Sequence, residues 1–243
     1  MTTRPKLHGL VSRVKLVGIE LEGGWDQAPE GEALVRDGSV KFPPIIDVES
    51  PRYKGEVVSV PLPVDNFARW VQHAYPKYVN ETCGLHIHMS FHYRINYARL
   101  MVPAFTGYMV GVIRAWAEQE DLPRNHSQWN RLHPTHPWTL QHCAHIYLGE
   151  GQVRMTRKDF ESRGTPYSRY TFINYCDGQH HTIEVRGLSM PETPEVAIRA
   201  IIAVVDGTNR FLSKIKHREK PEHATIKERP ESVQEFRSYS MAA

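Results

Sequence analysis

The sequence contains no apolar run near the roughly 20 residues that a membrane-spanning helix needs, so no membrane association is expected. Its first 17 residues, MTTRPKLHGLVSRVKLV, lack the apolar stretch and the small-residue cleavage site of a signal peptide. Cysteine is scarce: Cys83, Cys143 and Cys176 are odd in number, widely spaced and form no CxxC pair. They read as free thiols in a reducing cytoplasm, not as a disulfide framework. Neither sign of charge dominates. Lys and Arg number 30 against 27 Asp and Glu, and a formal charge of +3 is too small to argue for nucleic acid as a partner. Internal repeats and low-complexity segments are lacking too. What is present is an ordinary globular composition, 40% hydrophobic and 23% charged over 243 residues, enough for one sizeable core. The expected organisation is a single domain over 1–213 followed by a charged, mobile tail over 214–243.

Periodicity divides the chain into two-faced strands and amphipathic helices. VKLVGIELE (14–22) alternates, with Val17, Ile19 and Leu21 on one side and Gly18, Glu20 and Glu22 on the other. GEVVSVPL (55–62) reads as a short strand, and CGLHIHMSF (83–91) alternates again. YTFINY (170–175) and HTIEVRGL (181–188) suggest a hairpin around Asp177-Gly178. Helical stripes run from Phe67 to Tyr78 behind a capping Asp65, from Met101 to Trp116 with Pro103 in the first turn, and from Val196 to Leu212 after Thr193-Pro194. The segment 121–151, with five histidines and little periodicity, reads as a long structured loop that packs against or closes over a cleft. The expected class is α+β: a curved antiparallel sheet with helices on one face and a polar cleft on the other.

The chemistry lies on the polar faces. Glu20 and Glu22, His86 and His88, and Glu184 and Arg186 each stand two residues apart, and a two-residue step keeps both members on one face of a strand. Any single pair fits an ordinary solvated sheet face. Together they do not, because like charges on neighbouring strands destabilise a sheet. A divalent cation would neutralise them, and an oxygen-rich ligand set suits Mg²⁺ or Mn²⁺ better than zinc. Arg186 adds a planar cationic fork matched to phosphate oxygens. Metal, carboxylates and Arg together make a site suited to phosphoryl transfer.

Six segments, GIELE (18–22), DGS (37–39), GEVVSVPL (55–62), CGLHIHMS (83–90), RYTFIN (169–174) and TIEVR (182–186), stand in order over roughly 16–190. This series resembles that of the amidoligase family of the carboxylate–amine ligase superfamily, which includes glutamine synthetase and glutamate–cysteine ligase. The resemblance implies a fold like the catalytic domain of glutamine synthetase, with ATP and two Mg²⁺ or Mn²⁺ ions as cofactors. It implies Glu20, His86 and Glu184 at one ion and Glu22 and Glu56 at the other, with Asp47 and Glu49 as candidates for a further carboxylate. Arg186 and Arg169 would contact ATP phosphates or an acyl phosphate. His88 would lie near the nucleotide or substrate, Asn174 would shape the pocket, and Asp37 would stand near the incoming amine.

The implied reaction is an ATP-dependent ligation in the cytoplasm. A carboxylate takes the γ-phosphoryl group, and an amine then displaces phosphate to leave an amide. The partners would be small-molecule or peptide carboxylates and amines. Competing readings are a guanidino-kinase-like phosphotransferase of the same superfamily, a metal-dependent hydrolase or cupin-like binding protein using HxH and a Glu, and a non-catalytic nucleotide-binding module.

Overall fold

The computed structural model describes residues 13–42, 51–93, 95–100, 103–123, 126–132, 172–176 and 181–216. Its strands are β1 (Val14–Trp25), β2 (Leu34–Val35), β3 (Tyr53–Val58), β4 (Leu62–Pro63), β5 (Gly84–Phe91), β6 (Ile173–Cys176) and β7 (Thr182–Ser189). The helices are α1 (Phe67–Ala74), α2 (Ile95–Leu100), α3 (Pro103–Gln119), α4 (Ser127–Leu132) and α5 (Pro194–Lys216). The described strands all join one sheet in the order β2-β3-β1-β5-β7-β6, with β4 also on β1, and each of these pairings is antiparallel. The molecule is α+β, as the alternation and the helical stripes predict.

The three central strands turn their apolar residues to one side. Val17, Ile19 and Leu21 of β1, Leu85, Ile87 and Met89 of β5, and Ile183 and Val185 of β7 are fully excluded from solvent. Phe105, Met109 and Ile113 of α3 and Ala200, Ile201, Val204 and Val205 of α5 join the same core. Each such aliphatic side chain contributes roughly 1.5–3 kcal/mol on burial. That is why the opposite, polar face can carry a cluster of charges and the fold still form. No helix among the described residues is long and apolar enough to cross a membrane.

Several boundaries differ from the sequence expectation, each for a local reason. GEVVSVPL does not form one strand. It splits into β3 and β4, and between them Ser59 exchanges bonds with Ile19: Ile19 N–H donates to Ser59 Oγ and Ser59 N–H to Ile19 O, both at 2.9 Å. Helix α1 is not capped by Asp65; Asn66 occupies the N-cap without a side-chain bond. The same helix ends at Ala74 because Tyr75, preceding Pro76, is extended (φ −58°, ψ 132°). Tyr78 therefore leaves the stripe and pairs its backbone with Gly24. Part of the expected 121–151 loop is the helix α4, and α5 continues to Lys216, past the expected boundary at 213. The Asp177-Gly178 turn and the segment beyond Lys216 lie outside the described residues.

Candidate metal centre

Register brings the polar pairs together. Glu20 stands opposite His86, Glu22 opposite Glu56, and His88 opposite Glu184, while Asn174 on β6 faces Glu184 from the other side. Adjacent strands thus deliver their polar residues to one patch. A bulge refines it: register shifts between Leu85 and Ile87, so that Arg186 and Gly187 of β7 stand against the single residue His86. Bulges re-aim side chains in this way beside functional sites.

His86 is the hub. Its Nδ1 lies 2.8 Å from Glu20 Oε2 and 3.6 Å from Glu184 Oε1, and its Nε2 lies 3.6 Å from Glu22 Oε1. His88 Nε2 meets Glu20 Oε1 at 2.8 Å, and its Nδ1 contacts Thr182 Oγ1 at 3.1 Å. Arg186 Nη1 and Asn174 Nδ2 donate to the two oxygens of Glu184 at 2.5 and 2.9 Å. Glu22 accepts the Gly84 N–H at 2.5 Å. A Cβ at Gly84 would sit 2.9 Å from His86 Nε2 and 3.0 Å from Glu22 Oε2, so that those side-chain ends would have to shift.

Two ligand groups emerge. Glu20, His86 and Glu184 offer one atom each, all within 4.8 Å of one another, and so do Glu22, Asp37 and Glu56. The first is the set expected for one ion. In the second, Asp37 stands with Glu22 and Glu56, brought in by the pairing of Val35 with Glu56. Asp47, Glu49 and Arg169 lie outside the described residues.

The electrostatics fit a cation. Burial alone would raise Glu20, but hydrogen bonds from His86 and His88 hold it far below the usual carboxylate range. Burial likewise opposes ionisation of Glu184, yet His88, His86 and Arg186 keep its pKa low. His88 is disfavoured as a cation by burial, but Cys176, Glu20 and Glu184 push it up to about 10. Glu56 differs. Burial and then the charges of Glu20 and Asp37 push it up to about 7, so its ionisation awaits a positive charge. A nitrogen with two carboxylates in one group and three carboxylates in the other form a donor set for hard divalent ions.

Asn174 is buried, with its amide on Glu184, which makes it an orienting residue for that carboxylate. Two further contributors carry no periodic signal in the sequence. Gln128 on α4 accepts the Ser189 N–H at 2.9 Å and donates to Gly187 O at 2.8 Å. Arg131, also on α4, donates to Leu188 O at 3.2 Å and to Cys83 O at 3.0 Å. Together they tie the ends of β5 and β7 behind the site. No protein-family model matches the sequence, and neither a curated protein nor a solved structure matches it.

Proposed function

We propose that the protein is an ATP-dependent carboxylate–amine ligase that forms an amide through an acyl phosphate, on a glutamine-synthetase-like catalytic sheet binding two Mg²⁺ or Mn²⁺ ions. The observation that carries the reading is the pair of neighbouring ligand groups, Glu20–His86–Glu184 and Glu22–Asp37–Glu56, on one sheet face beside Arg186. The ordered resemblance to amidoligase segments supports it further.

Bound ions would neutralise nucleotide phosphate charge and the charge that develops on the transferring phosphoryl group. The chain's own residues do the rest. Glu184, fixed by Asn174 and Arg186, presents a preoriented carboxylate. Arg186 remains a cation, its pKa raised above the ordinary value: burial works against the charge, but Glu184 and Glu20 outweigh it. That makes it suited to phosphate oxygens at the edge of the acidic patch. His88, with Nε2 on Glu20 and Nδ1 on Thr182, holds the Glu20 carboxylate in place at the edge of the site. Asp37 is a metal ligand in this reading in place of the expected contact with the amine.

The test is a screen of amino acids, peptides and polyamines for amine-dependent phosphate release from Mg·ATP, read with product mass. Phosphate release that needs both an amine and a carboxylate, with an amide product, is the expected result. Transfer of phosphate to a guanidino compound would establish the phosphotransferase instead. Glu20→Ala and Arg186→Ala should each weaken Mg·ATP binding at least ~10-fold, equivalent to about 1.4 kcal/mol. Stoichiometric zinc or iron without ATP affinity would overturn the ligase reading in favour of a hydrolase.

A further inference from the structure

Beside the two oxygen-rich groups stands a third set of ligand atoms of different character. Cys176, the last residue of β6, places its Sγ 3.5 Å from Glu184 Oε2, and Asn174 Nδ2 lies 3.4 Å from the same sulfur. His88 Nε2 lies 3.9 Å from Glu184 Oε1. One ligand atom from each of His88, Cys176 and Glu184 lies within 4.8 Å of the others. In a tetrahedral zinc site, bonds of about 2.3 Å to sulfur and about 2.1 Å to oxygen set those ligands roughly 3.6 Å apart. The Cys176–Glu184 separation already matches.

We propose that Cys176, His88 and Glu184 form a site for a thiophilic divalent ion of the Zn²⁺ class, distinct from the hard-ion pair but sharing Glu184 with it. Three protein ligands leave a fourth position open. As zinc binds, the Cys176 thiol and the His88 imidazolium each release one proton to solvent, since the metal takes a thiolate sulfur and a neutral imidazole nitrogen. Softness separates the sites: a thiolate selects zinc over Mg²⁺, whereas the Glu22–Asp37–Glu56 group has only oxygens to offer. Because Glu184 belongs to both the thiolate group and the Glu20–His86 group, zinc bound there competes with the hard ion for that carboxylate's charge. Zinc therefore inhibits. That consequence rests on the proposed ligase activity; the zinc site itself does not.

The experiment uses the full chain, reduced and freed of metal, titrated with Co²⁺ as a spectroscopic substitute for zinc and separately with Zn²⁺ against a chromophoric indicator. Sulfur-to-cobalt charge-transfer absorption is expected in the wild type and in Cys143→Ser, and it should vanish in Cys176→Ser. Zinc affinity should fall at least ~10-fold in Cys176→Ser, and circular dichroism of the same sample shows whether that variant is folded. A charge-transfer band that persists in folded Cys176→Ser, or zinc affinity equal in both proteins, overturns the proposal. These readouts need no turnover, so an absence of ligase activity would overturn the ligase and leave the zinc site standing. If ligase activity is present, zinc should inhibit the wild type at lower concentration than Cys176→Ser.

Discussion

Asp37 and Gly84 show what single positions do in this site. Asp37 lies in a turn where its Oδ1 accepts the Ser39 N–H at 2.7 Å, and its charge helps to push Glu56 up to about 7. Asp37→Asn keeps that acceptor and removes the charge. The metal-free protein should therefore be no less stable at pH 8, while Mn²⁺ binding weakens by about 10-fold or more, since carboxylate count sets hard-ion affinity. Calorimetric titration with Mn²⁺ beside thermal melts checks both halves; unchanged Mn²⁺ affinity would remove Asp37 from the ligand set. Gly84 acts by having no side chain. Gly84→Ala gains roughly 0.4–1 kcal/mol from a stiffer unfolded chain. Against that, its methyl group would press on His86 Nε2 and Glu22 Oε2 at 2.9 and 3.0 Å, and overpacking costs typically about 1–3 kcal/mol. The clash wins because His86 and Glu22 are both buried and held. Urea unfolding should show net destabilisation, and gained stability would contradict this role for Gly84.

Among the elements, α4 has a large influence for its length. Six residues long, it sends Gln128, fully buried, to the backbone of Gly187 and Ser189, past the point where the β6–β7 pairing ends at Ile173 and Val185. Gln128→Ala would strand one N–H and one C=O. At roughly 1–3 kcal/mol for each buried unsatisfied group, about 3 kcal/mol of destabilisation is expected by denaturant titration. A loss below about 1 kcal/mol would mean that water replaces the amide. Nothing in the sequence announces this role. A polar residue in a stretch without periodicity is buried only because of what tertiary structure puts against it. The strands are the opposite case. A step of two fixes the face of Glu20 and Glu22, His86 and His88, and Glu184 and Arg186 before any neighbour is known, so these residues are legible from spacing alone. Which strands adjoin is not legible, and neither is the place of Asp37 among the ligands, since its turn has no period. The helical stripes of α3 and α5 are readable for the same reason as the strands. The end of α1 is misread because the stripe continues in composition after Pro76 has stopped it in geometry.

For the molecule as a whole, the site should govern how stability depends on pH. Glu56 in the folded state titrates at about 7 against an ordinary 4.5. A carboxyl group with a raised pKa stabilises the fold fully below the unfolded value, and that contribution disappears as pH rises from 4.5 through 7. His88, at about 10 against an ordinary 6.5, contributes stability that is complete below 6.5 and lost as pH rises through 10. Glu20 and Glu184 run the other way. Their lowered pKa values give stability above the ordinary 4.5 that fades as pH falls below it. From these groups the metal-free protein should be most stable near pH ~5 and melt at progressively lower temperature up to pH ~9. On the proposed metal-binding reading, a divalent ion would reverse the upper part of this trend, because it would bind the ionised form of Glu56 and compete with protons below about pH 7. The Mn²⁺-induced rise in melting temperature should accordingly be larger at about pH 8 than at about pH 5.5. Glu56→Gln should flatten the metal-free curve between pH 4.5 and 7 and shrink the Mn²⁺ effect, the first without any metal present. A metal-free melting temperature that climbs from about pH 5 to about pH 8, in wild type and Glu56→Gln alike, would show that the acidic face is not the strained, cation-seeking surface its geometry describes.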